Sequence, residues 1–189
     1  MPDLSEFSGF VSEKSGVKNT FLVEKDILLH RILKEISSHF GRAVLFKGGS
    51  CLVKCYFGYY RFSVDLDFTW KDQSMWNNLG KREFQNKLRD KVNEFALILE
   101  KISKELNLDF KNDHSNSKYF EFGGGKKITT FKLWKGEELI KIQVNFLERI
   151  IFEGKFRTAR TLLKNKISED EKVYFEDFLK FYRPFELLC

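Results

Sequence analysis

The sequence predicts an α/β (α+β) domain, a β-sheet with helices packed on it, and three observations carry that prediction. Helical and strand periodicities follow one another in the order helix, strand, helix, strand, helix, and a meander of short strands comes after them. Apolar residues make up 42% and charged residues 32%, which supplies a core without approaching a membrane composition. Phe is abundant, at 21 residues, against only 2 Pro, so the interior is expected to be compact and Phe-packed. A length of 189 residues suits one domain, taken as residues 1–189.

Each element has its own signal. Over residues 20–40, Leu29, Ile32, Leu33, Ile36 and Phe40 recur at helical spacing, with Asn19 or Thr20 as the cap. Ala43–Phe46 is an apolar run of the right length for a buried strand. Lys47-Gly48-Gly49-Ser50 breaks it, and a second helix is expected from Ser50 to near Gly58. Val64-Asp65-Leu66-Asp67-Phe68 alternates with period two, so it reads as a strand with its two carboxylates on one face. Residues 80–106 give the longest helical stripe, through Leu88, Val92, Phe95, Leu99, Ile102 and Leu106. Residues 107–117 are polar and read as a loop. Three strands are expected at 118–122, 127–133 and 139–146, turned by Gly123–Gly125 and Lys135–Glu137. The tail from 155 is rich in Lys, Arg and Phe and reads as helical from about 170.

The bulk chemistry excludes some classes. No apolar run is long enough to span a bilayer, and the N-terminus MPDLSEFSGF lacks the pattern of a secretory signal. Cys51, Cys55 and Cys189 are an odd count without framework spacing, which predicts free thiols in a reducing cytoplasm. A net charge of +6 favours polyanionic partners, yet a Lys-rich solvated surface explains it equally well.

The chemistry concentrates in Phe46–Thr69, FKGGSCLVKCYFGYYRFSVDLDFT. Gly48 and Gly49 let backbone N–H groups approach a phosphate at the start of a helix, and Ser50 adds a hydroxyl. Asp65 and Asp67 point to one side of a strand, where two ionised carboxylates repel. A divalent cation removes that conflict, and Mg²⁺ is commonly held by one or two carboxylates plus substrate phosphates. A third strand, LIKIQVNF, puts Ile140, Ile142, Val144 and Phe146 on one face and Lys141, Gln143 and Asn145 on the other. Near the acidic strand, Lys141 would neutralise triphosphate charge.

The run KGGS followed by R-F-S-x-D-L-D-F resembles the AbiEii/AbiGii-type nucleotidyltransferases, the toxin components of type IV toxin–antitoxin and phage-defence systems, within the polymerase-β-like superfamily. Val23-Glu24-Lys25-Asp26 and Ile140-Lys141-Ile142-Gln143 are similar to further motifs of that family, and the resemblance spans roughly residues 20–150. It implies the nucleotidyltransferase fold with a mixed β-sheet. It also implies metal-dependent transfer of a nucleoside monophosphate from an NTP to an acceptor, with tRNA the first choice, and a cognate antitoxin protein as partner. By the same resemblance Asp65 and Asp67 bind Mg²⁺ or Mn²⁺, Gly48, Gly49 and Ser50 contact the nucleotide phosphates, Lys141 contacts the nucleotide, and Arg61 and Ser63 shape the site. No membrane role is implied.

This chain departs from the family pattern in two places. Position 143, where the superfamily carries a third carboxylate, is Gln143. Its amide can accept a hydrogen bond from an attacking hydroxyl but cannot take the proton. Another base, loss of the proton to water, or low activity would follow, and the rival reading is a weak or inactive nucleotide-, RNA- or antitoxin-binding module of the same fold. Second, Pro184–Cys189 resembles the start of the helical region that follows the catalytic domain in relatives, which would then be lacking here.

The remaining features have plainer readings. Cys51 and Cys55, four apart, lack a second Cys or His pair at zinc spacing and read as buried helix cysteines. His30, His39 and His114 read as surface or satisfied core histidines. Tyr56, Phe57, Tyr59 and Tyr60 can stack on a base, with core packing the expected role.

Overall fold

The computed structural model describes residues 2–163 and 167–189, so residues 164–166 of the basic tail lie outside the described residues. Its centre is a five-stranded mixed sheet of order β1-β2-β5-β4-β3, built from Val44–Lys47, Asp65–Trp70, Phe120–Gly123, Ile128–Lys135 and Glu138–Asn145. β2 and β5 pair in parallel, and the other pairs are antiparallel. A parallel pair needs a crossover, and here α4 (Lys81–Glu105) together with β3 and β4 supplies it.

The long helices follow from caps and stripes. α2 (Thr20–Phe40) starts where the Asn19 side chain accepts the Leu22 N–H, and its predicted stripe from Leu29 to Phe40 is wholly buried. α4 buries Leu88, Val92, Phe95, Leu99 and Ile102. Phe95 carries much of the packing, since its ring stacks on Phe40 of α2 at 4.6 Å and on Phe131 of β4 at 5.3 Å. On β2 and β5, Leu66, Phe68, Ile140, Ile142 and Val144 are buried in the same cluster. The alternating residues Asp65, Asp67, Lys141 and Gln143 are left partly or fully exposed, as a period of two requires.

Three regions differ from expectation. Leu4–Ser15 is a helix, α1, started by a reciprocal capping box between Asp3 and Glu6 and ended at Gly16, whose φ is 75°. The D-x-x-E signal is present in the sequence, but it sits in a segment read only for targeting signals. The second helix, α3, begins two residues early: Gly48–Cys51 is α-helical and runs on as a wider π-helical stretch over Leu52–Phe57. In the tail, α5 (Glu169–Tyr174) and α6 (Glu176–Phe181) lie between two strands, β6 (Phe156–Ala159) and β7 (Phe185–Leu188). These strands form a separate antiparallel sheet. The segment expected to open a helical region at Pro184 is therefore strand. Its apolar residues Leu187 and Leu188 are buried, which a paired strand accomplishes in four residues where a helix would need more length.

A second cluster joins the two ends of the chain. Phe7 and Val11 of α1, Val23 and Ile27 of α2, and Leu162, Phe175 and Tyr182 pack together, with Phe7 stacked on Phe178 at 4.8 Å. At its edge lies a buried ionic network. Asp26 of α2 is 4% exposed and Lys54 of the π-helical stretch 2% exposed, with Nζ 2.6 Å from Oδ1. Lys54 also donates to the Tyr59 hydroxyl at 2.7 Å. The Tyr182 hydroxyl donates to Asp26 Oδ2 at 2.7 Å and accepts the Leu162 N–H at 3.2 Å. Burial, with the Asp26 charge second, holds both tyrosines well above the usual phenol pKa, so they stay donors. Nearby His30 is neutral: burial, then the Lys54 charge, lowers its pKa to about 3, and its Nε2 pairs with the Arg183 carbonyl at 2.9 Å.

Removing one partner of the Asp26–Lys54 pair leaves the other charge buried without compensation. Asp26→Ala is expected to cost about 3–5 kcal/mol in urea-unfolding experiments. The double change Asp26→Leu, Lys54→Met should recover much of that loss, because no charge then remains inside. Equal losses for the single and double variants would contradict the arrangement.

Candidate functional site

The expected site residues converge on one sheet face beside one turn. In the β2–β5 register Asp65 lies opposite Lys141 and Asp67 opposite Gln143, and in the β1–β2 register Lys47 lies opposite Asp67. Directly paired residues point to the same side of a sheet, so these five share a face. It is the face away from Leu66 and Phe68, which pack into the core with α2 and α4.

The turn after β1 fits closely against this face. Gly48 has φ 73°, and a Cβ there would collide with the carboxylate of Asp67. At Gly49 the guanidinium of Arg61 lies over the backbone and Ser63 Oγ lies 3.4 Å from where a Cβ would be, so a side chain there would displace the Arg61 head. Gly48 therefore has two reasons to be glycine, one conformational and one steric, while Gly49 lets the Arg61 guanidinium lie close to the backbone. Ser50 is buried, and its hydroxyl donates to the backbone carbonyl of Asp65. That bond fastens the start of α3 to the acidic strand. It occupies the donor assigned to phosphate, and the oxygen keeps its acceptor capacity.

The electrostatics are those of a strained anionic pair. Burial first, and the Asp65 charge second, raise the pKa of Asp67, while Lys47 works in the opposite direction. Lys47 also pairs with Glu148, which accepts from Thr69 as well. Burial pushes the Glu148 carboxyl up, but the bonds from Lys47 and Thr69 outweigh it and leave the group below its usual range. Thr69 lies two residues beyond Asp67 on the same face, so Glu148 brings a third carboxylate to the edge of the site. Lys47 was legible as the residue before the Gly-Gly turn, but only the register shows which way it points. Glu148 follows the end of β5 and carries no sequence signal.

The chemistry of the donor set fits a hard divalent ion. Two carboxylates on one strand face, one of them half-buried and disfavoured in its charged form, are oxygen ligands of the type that hold Mg²⁺ or Mn²⁺. Among the described residues the only group of three or more His, Cys, Asp or Glu side chains converging on one point is a cysteine cluster elsewhere, so Asp65 and Asp67 would complete an ion's shell with substrate and water oxygens.

The aromatic loop divides unexpectedly. Tyr59 belongs to the buried network. Tyr56, Phe57 and Tyr60 are exposed, Phe57 at 72%, which overturns the core-packing expectation for these three. Val53 and Cys55 are the buried apolar residues of the helix here, and from the following loop Tyr59 and Phe62 turn inward against the second cluster. The Glu24-Lys25-Asp26 motif is architectural: Glu24 pairs with Lys135, Lys25 reaches Glu138 at 3.2 Å and the Leu139 carbonyl at 3.1 Å, and Asp26 pairs with Lys54.

Residues 31–179 match a family described as "Nucleotidyl transferase AbiEii toxin, Type IV TA system". The match takes in the Gly-Gly-Ser turn, the two acids and the β5 strand, and it begins after the Glu-Lys-Asp segment. Comparison with curated proteins and with solved structures gave no match. Among the described residues no helix is long and apolar enough to cross a membrane.

The raised pKa of Asp67 has a consequence for stability without any ligand. A carboxyl whose folded pKa exceeds its unfolded value of about 3.9 stabilises the fold while protonated and loses that contribution as pH rises through the folded value. Asp67→Asn should therefore melt higher than wild type at pH 7, and the difference should shrink to nothing as pH falls below about 4. Thermal scans across this range check it, and a variant less stable than wild type at pH 7 would contradict it.

Proposed function

The chain belongs to the AbiEii nucleotidyl transferase toxin family, and on that premise we propose that it transfers a nucleoside monophosphate from an NTP to an acceptor hydroxyl at the face carrying Asp65 and Asp67. The observation that carries this reading is the β2–β5 register, with its acids opposite Lys141 and Gln143 beside the Gly48–Ser50 turn. Asp65 and Asp67 are the residues that would hold a divalent ion. When bound, such an ion offsets their mutual repulsion and the charge that develops on phosphate oxygens during in-line displacement.

In this reaction the acceptor oxygen forms a bond to the α-phosphorus, the bond to the β-phosphate bridging oxygen breaks, and pyrophosphate leaves. The chain's part is positioning and charge. Lys141 and Arg61 bring positive charge to the phosphates from two sides, and Gly48 and Gly49 let the backbone come close. Gln143 orients the attacking hydroxyl by accepting its hydrogen bond, and the proton passes to solvent. The acceptor we favour is RNA, tRNA in particular, in keeping with the net charge of +6 and the exposed rings of Tyr56, Phe57 and Tyr60 beside Arg61. A cognate antitoxin is the protein partner implied by the family. The second reading, a nucleotide-, RNA- or antitoxin-binding module with little turnover, is favoured by Gln143 standing at the position of the third acid.

Three measurements test the proposal. Mg²⁺ with NTP should stabilise the wild type by about 2.7 kcal/mol at a hundredfold excess over Kd. Asp65→Asn with Asp67→Asn should remove that gain, and identical responses of the two proteins would remove the site. With labelled NTPs and total RNA, Gln143→Asp should raise transfer, by up to about 10²–10⁴-fold, while Asp67→Ala should abolish it. No transfer from either the wild type or Gln143→Asp would favour the binding module. RNA affinity should fall steeply with salt in proportion to the phosphates contacted, and affinity indifferent to salt would argue for a protein acceptor.

A further inference from the structure

Cys189 is distant in sequence from Cys51 and Cys55 but meets them in the fold. Cys51 and Cys55 lie one turn apart on α3 and its π-helical extension, 4% and 5% exposed. Cys189 follows β7 and is fixed by reciprocal backbone bonds, its N–H to the Lys155 carbonyl at 3.0 Å and its carbonyl from the Lys155 N–H at 2.8 Å. The three Sγ atoms all lie within 4.8 Å of one another. For comparison, a zinc ion holds thiolates at about 2.3 Å, which sets its sulfurs about 3.8 Å apart in a tetrahedral site, so modest side-chain rotation closes the remaining distance.

We propose that Cys51, Cys55 and Cys189 bind a thiophilic metal ion of the zinc(II) class, with the fourth position open on the partly buried Cys189 side. A thiolate set selects zinc-like ions over Mg²⁺, so this site is chemically distinct from the oxygen site on β2. Three thiolates around a dication leave one negative charge, and Lys54, Arg157 and Arg160 are close enough to act electrostatically on the thiols. A disulfide would join only two of the sulfurs and leave the third without a purpose. Bound metal would tie β7 to the helix whose first residues are the Gly48–Ser50 turn. The ion would therefore brace the phosphate-facing turn from behind, without entering the reaction.

The test is a Co²⁺ titration of the reduced full chain without oxygen. The expected result is a thiolate-to-cobalt charge-transfer band that saturates at one equivalent and is displaced by Zn²⁺. The band should be lost in Cys55→Ser and in Cys189→Ser and kept in the Asp65→Asn, Asp67→Asn double variant. One equivalent of Zn²⁺ should also raise the Tm of wild type and leave that of Cys189→Ser unchanged. If Cys55→Ser fails to fold, Cys189→Ser, at the least buried of the three positions, and the metal stoichiometry of wild type by native mass spectrometry decide alone. The proposal is overturned if no band forms while three thiols titrate as reduced, if the band survives in Cys189→Ser, or if the protein is isolated with two of the cysteines in a disulfide.

Discussion

A carboxylate and an ammonium almost out of contact with water, Asp26 and Lys54, set the terms for much of this molecule. Neither can be buried alone, so the elements that carry them must meet: α2 on one side and the π-helical continuation of α3 on the other. The same carboxylate recruits Tyr182 from the far end of the chain, and Tyr59 is drawn in from the loop that leads to β2. One ion pair therefore fixes the angle at which α3 leaves the sheet, the path of the loop that delivers Arg61 and Ser63, and the docking of the C-terminal segment. The Gly48–Ser50 turn inherits its position from this network, because it is the first turn of the helix that Lys54 anchors. A buried pair is weak evidence for net stability. Its value here lies in specificity, since few alternative packings satisfy five polar atoms at once.

Much of the fold was legible wherever periodicity and burial coincide. The stripes of α2 and α4 and the alternation of β2 and β5 could be read because each element buries one face and exposes the other, which imposes a period on the sequence. The short strands β6 and β7 could not. Each has four residues, too few to establish a period, and their pairing depends on a contact between segments separated by α5 and α6. The site divides in the same way. Asp65, Asp67 and the glycines sit in a continuous stretch with a recognisable pattern. Lys47 needed the register, and Glu148 arrives after its strand has ended. Cys51 and Cys55 are the buried helix cysteines that their spacing suggests, but their meeting with Cys189 could not be read for a related reason: the third thiol comes from the other end of the chain.

The acidic face also shows how stability and activity pull apart. Asp67 is held where its own charge is disfavoured by burial and by its neighbour Asp65, and Gly48 accepts a left-handed backbone so that this carboxylate can fit. An unliganded chain carries that repulsion as a cost. On the proposed function, a polyphosphate substrate with its counter-ion would relieve it, and binding would then be favourable at the point where the isolated protein is least content.

The parallel pairing of β2 with β5 has a consequence for synthesis. α4, β3 and β4 all lie between the two strands in the chain, so a ribosome finishes the acids long before it reaches Lys141. During that interval the emerging polypeptide has Lys47, Arg61 and the two acids but lacks Lys141 and Gln143, the residues that stand opposite those acids. Strand β2 has no neighbour on that edge until the intervening segment has been made and folded back. In a chain of a nucleotidyl transferase toxin family, half-made copies therefore carry the two acids without the strand that pairs with them.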